Sequence, residues 1–557
     1  MVRRIASLLY APVRGLHEAA YLLGMFAIGS QMLAIVRDRI LASAFGAGST
    51  LDLYYAAFRL PDILFAIVAS LVSVYVLIPL ISSRLENSEA AARRFLASAL
   101  TFFTITIALG CVALFIIAPY LLPKLYPGFS AEELETLVAV TRVMLLQPVL
   151  LGISNLFASI TQLRQRFVVY AISPLLYNIG IIVGVITLYP TFGPTGLALG
   201  VVIGAFLHLA VQVPYLLTDP IAPRFFGKLH LRDIREIVTI SLPRTLALSA
   251  QQIALAALLA IASLSAAGSI TVFSFAYNLA AVPLAIIGVS YSVAAFPTLS
   301  KLFSAGERDA FFAQISSAAR HIIFWSLPII ALFVVLRAQI VRVILGAGAF
   351  DWADTRLTAA ALAVFVLSLA ANGLVLLLVR GYYASGNTKK PLLINLSATA
   401  LGVVCSVGLL DLFRSSEAVR VAVESWLRID GLPGTEVVML ALGYSIGVFI
   451  NAAMLVVVFE RDFRRFGPAL WSGLWKSAVG ALAAGASAYA ALQLLDEVFD
   501  LNTFVGIFAQ GVGGAVSGVS MGILILWLLR SRELTEALGA ATHRVFKTRT
   551  VVPEQVV

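Results

Sequence analysis

The chain has little charge. Only 12% of its 557 residues are Asp, Glu, Lys or Arg, against 60% hydrophobic. That is too few to cover the polar surfaces of the several domains into which a soluble protein of this length divides. Cysteine is scarce too: Cys111 and Cys405 are the whole set. Both lie inside apolar runs, which argues against a disulfide framework and leaves no Cys-x-x-Cys metal site. No GxxxxGK[ST] loop, HExxH or GxSxG motif occurs, so nothing points to an ATPase or a hydrolase. The chain reads as a non-enzyme without cofactor or bound metal. Gly46-Ala47-Gly48 begins like a dinucleotide fingerprint, but it follows an apolar helix and not a strand,.

What the sequence has instead is apolar runs of roughly twenty residues from end to end, the length that crosses a bilayer as a helix. Windows of about nineteen residues predict fourteen spans, centred near residues 32, 67, 108, 147, 178, 205, 250, 285, 330, 370, 400, 446, 483 and 516. The net charge of +10 then reads as topology information rather than a nucleic-acid surface. Even-numbered spans are followed by Arg84, Arg93 and Arg94; by Arg164 and Arg166; by Arg224, Lys228, Arg232 and Arg235; and by Lys389 and Lys390. Several odd-numbered spans are followed by loops with no basic residue, such as Gly46 to Ser49 and Ser265 to Gly268. Lys124, Arg337, Arg342 and Arg356 are exceptions. The bias places both termini in the cytoplasm. Arg3, Arg4 and Arg14 precede the first run without a convincing cleavage site, as in a retained cytoplasmic tail,.

The chain repeats itself. Ala47-Gly48-Ser49 recurs as Ala267-Gly268-Ser269, 220 residues later. Tyr55-Ala56-Ala57-Phe58 is echoed by Phe275-Ala276-Tyr277-Asn278, and Leu125 to Phe129 by Leu345 to Phe350, at nearly the same offset. Six spans separate the copies, so they share one orientation, the parallel repeat of some alternating-access transporters. The predicted layout is an N-terminal lobe over 1–230, a C-terminal lobe over 231–465, an appended pair over 466–530 and a tail over 531–557. Gly511, Gly514 and Gly518 in the last span suit close helix packing,.

An ionised side chain at mid-membrane costs about 3 kcal/mol on insertion scales, so such residues are the first functional candidates. Arg37, Asp38 and Arg39 interrupt the first span, and Arg59 and Asp62 flank the helix-kinking Pro61 in the second,. Arg142, His208, Arg244 after Pro243, and Arg380 lie further along. Arg380 reads as a topology anchor and His208 as a packed histidine. Arg37, Asp38, Arg59, Asp62 and Arg244 form the candidate substrate-binding set, because guanidinium groups lining a cavity suit a phosphate-bearing ligand. Gln251, Gln252 and Asn395 are candidate liners of a monovalent-cation site, although buried polar side chains more often join helices.

Val36-Arg37-Asp38, Phe45-Gly46-Ala47-Gly48, Asp52 and Ala57-Phe58-Arg59-Leu60-Pro61-Asp62 together resemble the opening of the MurJ (MviN) lipid II flippase family. Tyr383 to Pro391 and Pro297 to Ser300 resemble two further segments, so the likeness runs through roughly the first 400 residues. It implies an all-α fold of the multidrug/oligosaccharidyl-lipid/polysaccharide exporter superfamily, with two six-helix lobes around a cavity and two extra helices. It also implies movement of an undecaprenyl-pyrophosphate-linked peptidoglycan precursor across a bacterial inner membrane, with membrane lipid as the surrounding partner. Arg37 and Asp38 match the family's functional pair, and Arg59 matches a basic position. The chain departs at Gln31, Phe65 and Asn278, where the family carries basic residues, and at Ser70, near an acidic position. Two rival functions follow: export of another lipid-linked oligosaccharide or a drug, and a non-transporting membrane scaffold.

Overall fold

The computed structural model describes residues 16–223, 227–463, 467–500 and 503–545. Every regular element among them is helical, as the apolar runs predict. Among the described residues eleven helices are long and apolar enough to cross a bilayer, or twelve if Trp352–Leu367 and Leu369–Ala384, bent by 43°, are counted as one span. Fourteen were expected, and the difference lies at the start of the chain.

There α1 (Leu16–Phe45) is one helix of 30 residues, with Arg37, Asp38 and Arg39 on consecutive positions. The expected second span is not a single helix. It is α2 (Ser49–Ala57), α3 (Arg59–Val68) and a further helix, Val74–Leu85. Pro61 stands at the junction of α2 and α3. Phe58 between them keeps helical geometry (φ −67°, ψ −26°) and accepts from the Asp62 N–H at 2.8 Å, while Pro61 has no N–H to donate to the Ala57 carbonyl one turn back,.

The chain divides into two compact units, one of Met1–Asn278, Ile344–Ala361 and Thr388–Gly447, the other of Leu279–Val343, Leu362–Asn387 and Val448–Val557. In the first, Leu64, Phe95, Phe103, Leu156 and Ile160 belong to one buried apolar cluster. The helices Phe167–Val183 and Pro194–Ala210 run backbone against backbone. A Cβ on Gly200 would stand 2.5 Å from the Gly184 Cα. Without a side chain the helices approach closely, which is how membrane helices gain dispersion contact when lipid supplies no hydrophobic drive.

The connections of this unit sort into two groups that bond only within themselves in the pairs that follow. Those after the expected first, third, seventh, ninth and eleventh spans are one group. The Ala349 N–H donates to the Ser43 carbonyl at 2.9 Å, the Ala47 N–H to Asp354 Oδ2 at 3.0 Å, and the Gly268 N–H to Asp52 Oδ2 at 2.7 Å. Ser49 donates to Glu133. Arg414 pairs with Glu436 at 2.7 Å, and Arg356, an exception to the charge pattern, donates to the Arg428 carbonyl. The connections after the second, fourth and sixth spans form the other group. Arg84 pairs with Asp233 at 3.2 Å, Arg164 with Asp219 at 3.1 Å, and Arg93 donates to the Pro220 carbonyl at 2.8 Å.

The repeat has a physical counterpart in this unit. A Cβ on Gly128 would collide with the Ser263 carbonyl, and one on Gly348 with the Ser43 carbonyl. The two glycines are 220 residues apart, and so are the two serines. Each repeat thus lays its glycine on the other's serine.

In the second unit Gly467–Asp496 packs against Phe504–Leu528 and against Arg308–Val335. The glycine pattern of the last span does what its spacing suggests. A Cβ on Gly518 would lie 2.8 Å from the Ala484 carbonyl oxygen, and Ser487 and Ser517 hydrogen-bond at 2.8 Å between the two helices.

Candidate functional site

Two polar constellations lie inside the first unit, and one residue belongs to both. On α1, Arg37 turns back on its neighbour: Nη2 and Nε donate to Asp38 Oδ1 at 2.7 and 2.9 Å. Its Nη1 donates to Asn178 Oδ1 on Phe167–Val183 at 2.9 Å. Asn278 Nδ2, at the other side, donates to Asp38 Oδ2 at 3.4 Å. The pair is 20% and 12% exposed at the side chains. All three of the guanidinium's nitrogens are thus engaged, two with Asp38 and one with Asn178.

The second constellation is a cavity of about 180 Å3. The start of α3 contributes Arg59 and Asp62, three residues apart and therefore on one face,. Tyr55 comes from α2, Gln251 and Gln252 from Leu231–Ala262, and Ser274, Tyr277 and Asn278 from Ser269–Leu284. Leu255, Leu259 and Phe273 supply the apolar wall. The break after α2 matters here, because Arg59 Nε donates to the Tyr55 carbonyl at 3.4 Å, one turn back. Neither Arg59 nor Asp62 has an ion-pair partner within 4.0 Å among the described residues. Tyr55 Oη and Gln252 Oε1 are buried without a hydrogen-bond partner. The cavity thus sets two orphaned polar atoms beside an arginine and an aspartate without ion-pair partners.

The structure thus brings Arg59 and Asp62 together, and Asn278, which lines their cavity, donates to Asp38. Arg244 lies on Leu231–Ala262, but its side chain is outside the described residues. The other charged candidates have structural roles. Arg39 donates to the Ile344 carbonyl at 3.2 Å. Arg142 donates to the Phe115 carbonyl at 3.1 Å, with its guanidinium 4.4 Å from that ring's centre. Arg380 bonds Ser292. His208 is a packed histidine, its Nδ1 2.7 Å from Ser154 Oγ, with Gln212 donating to the same hydroxyl at 2.6 Å. Asn395 Oδ1 is buried without a partner, away from the cavity lining. Sequence reasoning missed Tyr55, Ser274 and Tyr277 as liners. It had the signal, since Tyr55 and Tyr277 sit in matching segments of the repeat.

A family model described as lipid II flippase MurJ matches residues 41–510. The chain belongs to this family. Arg37 and Asp38 stand just before the matched span, whereas Arg59 and Asp62 lie inside it. Among relatives, a probable lipid II flippase MurJ of Thermotoga maritima is 28% identical over 70% of this chain and 78% of its own length. One from Rickettsia prowazekii is 24% identical over 74% of this chain and 82% of its own. The lipid II flippase MurJ of Burkholderia cenocepacia is 24% identical over 68% and 74%. A solved structure of lipid II flippase MurJ in an inward closed conformation shares the fold with a TM-score of 0.72 at 19% identity, covering 93% of this chain and all of that one. An inward-facing multidrug-resistance MATE family transporter of the MOP superfamily follows at 0.62 and 16% identity, covering 78% of this chain and 94% of its own. The family resemblance read from the sequence is borne out, and the fold is shared with a MATE transporter.

Proposed function

We propose that this protein translocates a lipid-linked peptidoglycan precursor of the lipid II type, an undecaprenyl-pyrophosphate disaccharide-pentapeptide, across a bacterial inner membrane by alternating access. The observation that carries the reading is Arg59, an unpaired guanidinium facing a cavity within a family of lipid II flippases. Guanidinium is the side chain best suited to a pyrophosphate, since its fork of N–H donors matches two phosphate oxygens at once. Arg59 and Asp62 are the substrate-facing residues of this proposal. Arg37 and Asp38 hold the neighbouring helices in register, and Arg244 stays in the set through its place on the cavity-lining helix. Residues 1–230 and 231–465 act as the two lobes, 466–530 as the appended pair and 531–557 as a tail. Both termini face the cytoplasm. The protein works as a carrier and not as a catalyst, with a monovalent cation as co-substrate and no nucleic-acid partner.

One observation favours a second reading. The cavity is electrically balanced, one arginine against one aspartate, with Asn278 and Phe65 where the family resemblance places basic residues. A nearly neutral cavity also suits an exporter of another lipid-linked oligosaccharide or of a drug, and a multidrug-resistance transporter of the MATE family shares the fold. Complementation of a flippase-depleted bacterium, read as lipid II exposed at the outer leaflet, separates the two. Rescue by the wild-type chain that is lost in Arg59→Ala supports the flippase. Failure of a well-expressed wild-type chain supports the exporter.

A further inference from the structure

We infer that Asp62 is a proton-binding site coupled to the anion site at Arg59: when an anionic headgroup enters the cavity, Asp62 takes up one proton from water, and when the headgroup leaves, the proton is returned. This deepens the proposed function and rests on its assignment of a pyrophosphate-bearing ligand to Arg59.

Three features of the cavity lead here. The first is charge balance. Arg59 and Asp62 line the same cavity without joining in an ion pair. Each compensates the other through space, in apolar surroundings where an uncompensated charge is costly. A pyrophosphate that engages Arg59 uses up that compensation and adds negative charge of its own. A carboxylate left beside it is destabilised by both, and protonation is the available remedy.

The second is the inventory of orphans. Gln252 Oε1 is an acceptor with no donor, and the buried Tyr55 hydroxyl has no partner either. An ionised carboxylate can only accept, so it leaves Gln252 Oε1 unsatisfied. A protonated one becomes a donor. The cavity therefore holds an acceptor suited to the neutral form of Asp62.

The third is isolation. The helices packed on α3 are α2, Glu89–Leu125, Ala131–Met144, Leu146–Leu163 and Leu231–Ala262. Among the described side chains, the titratable or charged groups near Asp62 are Arg59 on its own helix and the phenols Tyr54, Tyr55, Tyr177 and Tyr277. Arg37 and Asp38 are engaged with each other. Among the described residues no second carboxylate lines the cavity to take the proton in place of Asp62.

The test uses the purified full chain and a short-chain polyprenyl-pyrophosphoryl sugar, whose diester pyrophosphate does not titrate between about pH 5 and 9. Calorimetric titration in buffers of different ionisation enthalpy counts protons taken up on binding. The wild type is expected to take up close to one proton per ligand on the alkaline side, its affinity falling about tenfold per pH unit there. Asp62→Asn, a mimic of the protonated form, is expected to bind with no proton uptake and a flat pH profile. Asp62→Glu is expected to restore the slope, which keeps the test decisive if the Asn variant folds poorly. A wild type that binds without proton uptake overturns the inference, as does an Asp62→Asn variant that keeps the slope. Arg59→Ala separates the layers. If it leaves wild-type binding intact, the anion lies elsewhere and the phosphate assignment falls, taking the coupling with it. If it abolishes binding while the wild-type profile is flat, the assignment stands and only the coupling fails.

Discussion

The carboxylate of Asp52 holds Thr271 twice, Oδ1 accepting from the Thr271 N–H at 2.7 Å and from its hydroxyl at 2.6 Å. Oδ2 accepts from the Gly268 N–H at 2.7 Å. Asp52 is 3% exposed, and it satisfies donors at the start of Ser269–Leu284 that would otherwise be orphaned. One short side chain in the first copy of the repeat thus caps a helix of the second.

Replacing Asp52 by alanine leaves three buried donors unpaired. The expected loss is on the order of 3 kcal/mol, because an unsatisfied buried group forfeits its desolvation as well as its bond. Thermal unfolding of the detergent-purified chain should show a clearly lower midpoint for Asp52→Ala. Asp52→Asn should lie between, since its oxygen still accepts from Thr271. An alanine variant that melts like the wild type would remove the cap from the account of stability.

Gly348 has φ +54° and lies against Ser43. Alanine there meets strain from the left-handed backbone, about 1 kcal/mol, and a collision with the Ser43 carbonyl and hydroxyl. Gly128 lacks the unusual φ but makes the equivalent approach to Ser263. A Cβ at 128 would come closer to the Ser263 carbonyl oxygen than one at 348 to the Ser43 carbonyl oxygen, so Gly348→Ala and Gly128→Ala should both destabilise, the second more. Paired melting curves check it, and a Gly128→Ala variant that melts like the wild type would contradict the close approach.

Arg37 and Asp38 should behave as a unit. Arg37→Ala leaves the Asp38 carboxylate, 12% exposed at its side chain, with a 3.4 Å bond from Asn278 as its remaining support. Removing one partner of a buried pair costs more than removing both. A double-mutant cycle on melting stability, using Arg37→Ala, Asp38→Ala and the double variant, is expected to give a coupling of about 1–3 kcal/mol. Lysine at 37 should recover only part of it, because an ammonium cannot serve Asp38 and Asn178 with a fork. Strictly additive single effects would show that the two residues act apart.

The parts that were legible beforehand share a cause. Arg59 and Asp62 could be placed together because three residues along a helix return to the same face. The Gly514 and Gly518 contacts were readable because small residues at that interval have one common use in a membrane helix. Pro61 marks a junction: α2 ends at Ala57 and α3 starts at Arg59, with Phe58 between them in helical geometry, and the missing proline N–H falls one turn beyond it,. Fourteen spans were expected, and among the described residues eleven helices, or twelve with the bent pair counted as one, are long and apolar enough to cross. The segments α2, α3 and Val74–Leu85 divide one expected run into short helices, and the 30-residue α1 carries Arg37, Asp38 and Arg39 within another.

Composition by itself determined the solvent. Long apolar runs with few charges cannot be stable exposed to water, and in lipid a chain must satisfy its backbone bonds within each segment, so helices follow. The repeat and its orientation came from the same one-dimensional record. The tertiary structure alone decided which charges are free. Arg37 and Arg59 look alike in the sequence, each an arginine near an aspartate in an apolar run. Arg37 is quenched by Asp38 and by Asn178, 141 residues away, while Arg59 faces a cavity. A side chain's partners come from helices distant in the chain, and no local pattern records which of them will be brought near.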